Sequence, residues 1–130
     1  ENNQAAVSSG RLSLQFGDSA SLLFDNHRFD KVFCINVAYF WDDPSLHLKE
    51  VHRVLKPGGK FYATVRTRES MDHMPFTRYG FRKYTEKEWS DLLEQNNFLY
   101  TGSVLRDDPP DPIVETGYRY QSVCFIAVKK

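Results

Sequence analysis

The apolar residues of this chain switch repeatedly between the period of a strand and that of a helix. Gln4–Val7 suits a helix and Gly10 a helix stop, so residues 1–10 read as the tail of a helix. Leu12, Leu14 and Phe16 alternate with polar residues, which predicts a short strand over Leu12–Phe16 closed by Gly17-Asp18. After turn residues Asp25-Asn26, the stretch Phe29–Val37 carries an unbroken apolar run, Val32-Phe33-Cys34-Ile35. Such a run predicts a strand buried on both faces, as in a parallel sheet covered by helices. Asp43 and Pro44 then suit the cap and first turn of a helix. Leu48, Val51, Val54 and Leu55 give it one apolar face, Arg53 and Lys56 its cationic last turn, and Pro57-Gly58-Gly59 its stop.

Lys60–Val65 predicts a further strand, and residues 66–84 read as irregular, basic and aromatic. Thr85 and Glu88 have the spacing of a capping box, opening a helix with Trp89, Leu92 and Leu93 on one side and Asn96-Asn97 at its end. Leu99–Leu105 and Gln121–Val128 predict strands, and the prolines of Asp107–Pro112 predict a loop between them. Strands alternating with amphipathic helices argue for an α/β sheet, mostly parallel. No helix separates the last two strands, so they are expected to pair antiparallel and give the sheet an antiparallel C-terminal strand.

Composition narrows the function classes. One hundred and thirty residues make a single domain, 1–130. Lysine and arginine total 17, as do aspartate and glutamate, so net charge offers no argument for nucleic acid or anionic lipid as partner. No segment approaches the ~18 apolar residues of a membrane span. The polar opening ENNQAAVSSG does not read as a signal peptide. Cys34 and Cys124 sit singly in apolar runs, as free buried thiols in a reducing, cytoplasmic setting would. The first residue is Glu1 and opens on a helix tail, from which we expect the chain to continue a larger protein.

In open α/β sheets ligands bind beyond the carboxyl ends of the strands. That rule points to Asp18 and Ser19, to Asn36 and Val37, and to Arg66-Thr67. The Asp18 carboxylate could accept from an exocyclic amine or merely close a turn. Asn36 could meet a zwitterionic or purine ligand, or form an Asx-type turn. Tyr39-Phe40-Trp41 could wall a pocket or pack the following helix. Met74–Tyr84 interleaves Arg78, Arg82 and Lys83 with four aromatics, the texture of a substrate lid, of a structural linker, or of a single-strand nucleic-acid platform. His27, His47, His52 and His73 lack the spacing of a metal pair, so no metal site is expected.

The block FDKVFCINVAYFWDDPSLHLKEVHRVLKPGGKFYATV, residues 29–65, resembles class I S-adenosylmethionine-dependent methyltransferases of the ubiquinone/menaquinone-biosynthesis-like group. Phe29-Asp30, Val32, Asn36 and Arg53–Gly59 carry the resemblance, and Gly17-Asp18-Ser19 is similar to the family's Gly-Asp-Ala. The resemblance implies a Rossmann-like sheet of about seven strands. It implies S-adenosylmethionine as cofactor, with Asp18 accepting from the adenine amine and Ser19 offering a backbone N–H to the ring. Asn36 and Val37 would line the methionine side, and the KPGG turn would be structural. It implies a small-molecule methyl acceptor and assigns no catalytic residue.

The family's glycine-rich first loop has no counterpart here. About 60 residues, two strands with their helices, would be missing, so the sheet is expected to be partial and the chain inactive alone. It would complete its sheet with a missing N-terminal segment or by self-association. Two rivals follow: a non-catalytic, truncated methyltransferase-like interaction module, and an RNA methyltransferase or RNA-binding domain.

Overall fold

A computed structural model describes residues 3–110 and 117–130. Four strands form one mixed sheet in the order β1-β2-β4-β3: β1 Phe29–Ile35, β2 Leu55–Arg66, β3 Phe98–Asp107 and β4 Gln121–Lys129. β1 and β2 run parallel, and β4 lies antiparallel to both β2 and β3. β3 and β4, consecutive in the chain, pair antiparallel, as the sequence predicts.

The helices are α1 Gln4–Ser8, α2 Pro44–Val54, α3 Arg68–Asp72 and α4 Glu86–Gln95. Single 3-10 turns occupy Ala38–Phe40 and Pro75–Arg78, so the irregular stretch 66–84 holds two short helical pieces. Asp43 caps α2 by accepting from the Ser45 N–H at 3.1 Å, with Pro44 in the first turn. The capping box of α4 is complete: the Glu88 N–H donates to the Thr85 hydroxyl, and the Thr85 N–H donates to the Glu88 carboxylate.

One face of the sheet carries the core. Phe61 of β2 lies beside Ala127 of β4, and Ala63 beside Phe125. Leu48 and Val51 of α2 and Trp89 and Leu93 of α4 close over them. Side chains such as Phe61, Phe125 and Leu48 are almost wholly buried, each worth about 1.5–3 kcal/mol of apolar transfer. Lys129 ends β4 inside this layer, its ammonium donating to the Leu55 carbonyl at 2.9 Å.

Three expectations are corrected. Leu12–Phe16 forms no strand: the alternation is present, but no described strand lies beside it to accept its hydrogen bonds, and Leu14 and Phe16 stand in solvent. β1 is buried on one face only. Val32 and Cys34 join the core, while Phe33 and Ile35 are 71% and 56% exposed, because β1 is the sheet edge and its second face is uncovered. Pro57-Gly58-Gly59 does not stop α2, which ends at Val54 and passes directly into β2, since Leu55 already pairs with Phe29.

The Pro-Gly-Gly residues instead bulge from the register between the Phe29–Leu55 and Lys31–Lys60 pairs. Gly58 has φ +78°, and a Cβ on Gly59 would lie 2.8 Å from the Lys56 carbonyl oxygen, so the chain can cross β1 there only as glycine. Asp107 belongs to β3, Asp108–Pro110 are loop, and the rest of the expected loop, residues 111–112, lies outside the described residues, as do residues 1–2 of the helix tail.

Candidate functional site

The carboxyl ends of β1 and β2 meet at a hydrogen-bonded junction. Asn36, the residue after β1, holds φ +56°, a conformation that asparagine tolerates better than most residues. Its N–H continues the ladder to the Thr64 carbonyl at 2.9 Å. Its side-chain oxygen accepts from the Tyr39 hydroxyl at 3.0 Å, and that hydroxyl accepts from the Arg66 N–H. Burial pushes the Tyr39 phenol above its ordinary pKa, so it stays protonated and serves as a brace.

Beside this brace lies a cleft of about 220 Å³, bounded by Asn36, Tyr39 and Arg66 below and by Phe40 and residues 71–81 above. Its rings form one cluster, with Phe81 meeting Phe40 at 4.9 Å and Phe76 at 5.8 Å edge to face, and Tyr39 at 5.9 Å in a tilted arrangement. Met71 and Met74 add thioethers. Arg66 is held by Asp108 at 3.1 Å, and Asp108 in turn accepts from the Ser122 hydroxyl at 2.5 Å.

Asp18 and Ser19 sit apart, lining a different, open cleft of about 390 Å³ formed by residues 13–24. Asp18 Oδ1 accepts from the Ala20 N–H at 2.8 Å and its carbonyl from the Ser21 N–H, so the turn reading of Asp18 is realised. Among the described residues its second carboxylate oxygen has no partner. The Ser19 hydroxyl lies 2.7 Å from His47 Nδ1, and the His47 ring stacks on Trp41 at 4.6 Å. Burial holds His47 below its ordinary pKa, against the pull of Asp18, Asp43 and Asp42.

Val37 caps the 3-10 turn and is exposed; it lines neither cleft. The structure thus brings Asp18 next to Ser19 and Asn36 next to Val37, as two separate groups. All four remain accessible or half-buried, and they present a free carboxylate oxygen, an amide and backbone N–H groups. That donor and acceptor set fits a purine amine and an amino-acid moiety. Among the described residues no group of three His, Cys, Asp or Glu could hold a metal ion, and no helix is long and apolar enough to cross a membrane.

Two features were missed in the sequence. One is the Arg66–Asp108 pair, 42 residues apart. The other is the Arg53 clamp on the loop after Asp18. Arg53 is bidentate to Glu50 at 2.9 and 3.0 Å, and it also donates to the Phe24 and Leu22 carbonyls at 2.7 and 2.9 Å. The basic residues of 78–83 are largely spoken for: Lys83 pairs with Asp72 at 2.6 Å, Arg82 reaches the Asp42 carbonyl at 3.4 Å and Arg78 lies over Tyr79.

The sheet order, the parallel β1–β2 pair and the antiparallel β4 define the class I S-adenosylmethionine-dependent methyltransferase fold, in partial form. A family model described as a methyltransferase domain matches residues 1–63. The chain is 28% identical over 110 residues to the protein YafE of Escherichia coli (strain K12), covering 72% of this chain and 49% of YafE. It superposes on a SAM-dependent methyltransferase from Methanosarcina mazei with TM-score 0.65 at 24% identity, covering 87% of this chain and 65% of that one. A SAM-dependent methyltransferase from Thermotoga maritima gives TM-score 0.71 at 21% identity, covering 98% and 69%. The chain therefore spans about half the length of the curated relative it matches over most of its own length.

Proposed function

We propose that this chain contributes to S-adenosylmethionine-dependent methyl transfer to a small-molecule acceptor, as part of a longer protein. The observation that carries the reading is the methyltransferase-domain match over residues 1–63, the stretch that holds Asp18, Ser19, Asn36 and Val37. The block from Phe29-Asp30 to Gly59 favours the ubiquinone/menaquinone-biosynthesis-like group within that fold. In this reading the free oxygen of Asp18 accepts from the adenine amine and the Ser19 N–H meets the ring. Asn36 and Val37 line the methionine side.

The cofactor, when bound, supplies an activated methyl group, so the chain's own work is positioning. The Tyr39 brace sets Asn36 and the strand ends, the Arg53 clamp sets the loop that follows Asp18, and the 71–81 segment shields the acceptor from water. A missing N-terminal segment completes the sheet beside β1.

A second reading, a non-catalytic interaction module, draws support from the uncovered sheet face at Phe33 and Ile35. Calorimetric titration with S-adenosylhomocysteine separates the two, using this chain and a longer version that includes upstream sequence. Binding by the longer version, and its weakening by Asp18→Ala and Asn36→Ala, is the expected result. Absence of binding in both versions would overturn methyl transfer and leave the interaction module.

A further inference from the structure

The loop that carries Asp18 and Ser19 is tied to α2 by His47, Glu50 and Arg53, each about one helical turn on from the last. Glu50 accepts from the Leu22 N–H at 2.7 Å, and Arg53 donates to the Leu22 and Phe24 carbonyls, so charged groups fix the far end of the loop. The near end reaches α2 through the Ser19 hydroxyl, 2.7 Å from His47 Nδ1. The His47 ring lies flat on the buried Trp41, with an interplanar angle of 5°, and Trp89 of α4 stacks behind Trp41 at 6.3 Å. A ring held on a buried indole presents Nδ1 in a fixed direction. The Gly-Asp-Ala of the family that residues 29–65 resemble has no hydroxyl at the place of Ser19, so this contact is a feature of the chain itself.

Asp18 precedes Ser19 with one carboxylate oxygen on the Ala20 N–H and the other without a partner among the described residues. The charges that act on the His47 ring are those of Asp18 in the loop and of Asp42 and Asp43 ahead of α2. Trp41 and Trp89 bring no charge, and Glu50 and Arg53 are bound to each other. A neutral imidazole has one donor and one acceptor, enough to hold Ser19 and leave Asp18 alone. An imidazolium has two donors and a charge, which attracts the free oxygen of Asp18. Burial and a place in the first turn of α2 both favour the neutral ring.

We propose that His47 is a positioning residue for the cofactor: when neutral it holds Ser19 and leaves the free oxygen of Asp18 to the ligand, and when protonated it takes that oxygen for itself. The inference rests on the methyl-transfer reading, in which Asp18 accepts from the adenine amine. It makes cofactor affinity depend on the charge of a side chain that does not touch the cofactor.

The test is calorimetric titration of the longer version with S-adenosylhomocysteine from pH 8 to pH 5. Affinity is expected to fall below the His47 pKa, approaching ten-fold per pH unit, the slope of one proton excluded on binding. His47→Leu keeps an apolar cover on Trp41 and loses the hydrogen bond, so it is expected to weaken binding about 5-fold at pH 8. Ser19→Ala is expected to match it, and the double variant to be no weaker than either single one. His47→Asn places an amide where Nδ1 stood and cannot titrate. It is expected to restore most of the loss at pH 8 and to flatten the pH profile, while His27, His52 and His73 remain in every variant.

A pH profile that survives in His47→Asn would overturn the role of His47, as would His47→Leu binding as tightly as the unaltered protein at pH 8. Either result leaves methyl transfer standing, because the cofactor still binds. No binding by the longer version at any pH would overturn both.

Discussion

His52 shows how a single side chain can set the pH response of this molecule. It sits on α2 with its ring edge-on to Phe98 at 5.4 Å and its Nε2 buried, without a partner among the described residues. Desolvation holds its pKa below the ordinary 6.5, and the nearby Lys129 and His27 lower it further, against the pull of the Lys130 and Asn97 backbone carbonyls, which raise it. Between that depressed value and 6.5 the unfolded chain binds a proton that the folded chain refuses, so stability rises with pH in this window. It is fully present above 6.5 and declines as pH falls below it; His47, also depressed, acts with the same sign. The depressed carboxylates, Glu50 and Asp72 among them, act only below their ordinary 4.5 and 3.8. We therefore expect the urea midpoint to fall from pH 7 to pH 5, and His52→Phe to flatten that dependence. A midpoint unchanged across this range would remove the histidine contribution. Nothing in the local spacing announces this role, or that of Arg53. Arg53 reads as a dipole-complementing cation near a helix end, whereas its loop partners Leu22, Phe24 and Asn26 lie 27 to 31 residues away.

Elements were legible where their signals are local. The capping box of α4 needs only Thr85 and Glu88, three residues apart, and both of its hydrogen bonds form, at 2.8 and 3.2 Å. Substituting Thr85 by Ala removes one acceptor for the first-turn N–H groups and is expected to cost about 1 kcal/mol. Thr85→Ser, which keeps the oxygen, should cost far less; equal losses in chemical denaturation would mean that the methyl group rather than the cap matters. Elements failed where the signal depends on neighbours. The run Val32–Ile35 is apolar at every position, which describes what both faces could bury and not what covers them. Leu12–Phe16 has the strand period, yet a strand exists only where a second strand takes its hydrogen bonds. The end of α2 was misplaced because proline and glycine are strong stop signals, while pairing with Phe29 had already drawn Leu55 into β2. The candidate site divides the same way: Asn36 and Tyr39 are near in sequence and meet at 3.0 Å, but Asp18 and Asn36 line separate clefts.

At the scale of the whole molecule, one sheet face is finished and the other is not. Rows cross the unfinished face from strand to strand: Phe33, Tyr62 and Ile126 in one, Ile35, Thr64, Cys124 and Val104 in the next. Cys34 points to the opposite, core face with β2 between the two cysteine strands. That is why both thiols are free and why burial pushes Cys34 up to about 12. The outer edge of β1 pairs with no described strand, so unpaired backbone groups border an apolar surface. Contiguous exposed apolar surface beside a free edge drives association in water. Sedimentation velocity over a concentration series should therefore show this chain self-associating. Replacing Phe33 and Ile35 together by Glu places two charges on the uncovered face without touching the core, so the double variant should remain monomeric with its core intact. A chain that stays monomeric at every concentration would mean that solvent tolerates the face. A double variant that unfolds would mean that Phe33 and Ile35 carry stability despite their exposure. The expected pair of results, association lost and fold kept, would locate the molecule's unsatisfied surface on the β1 side of the sheet, where the proposed upstream segment would pair.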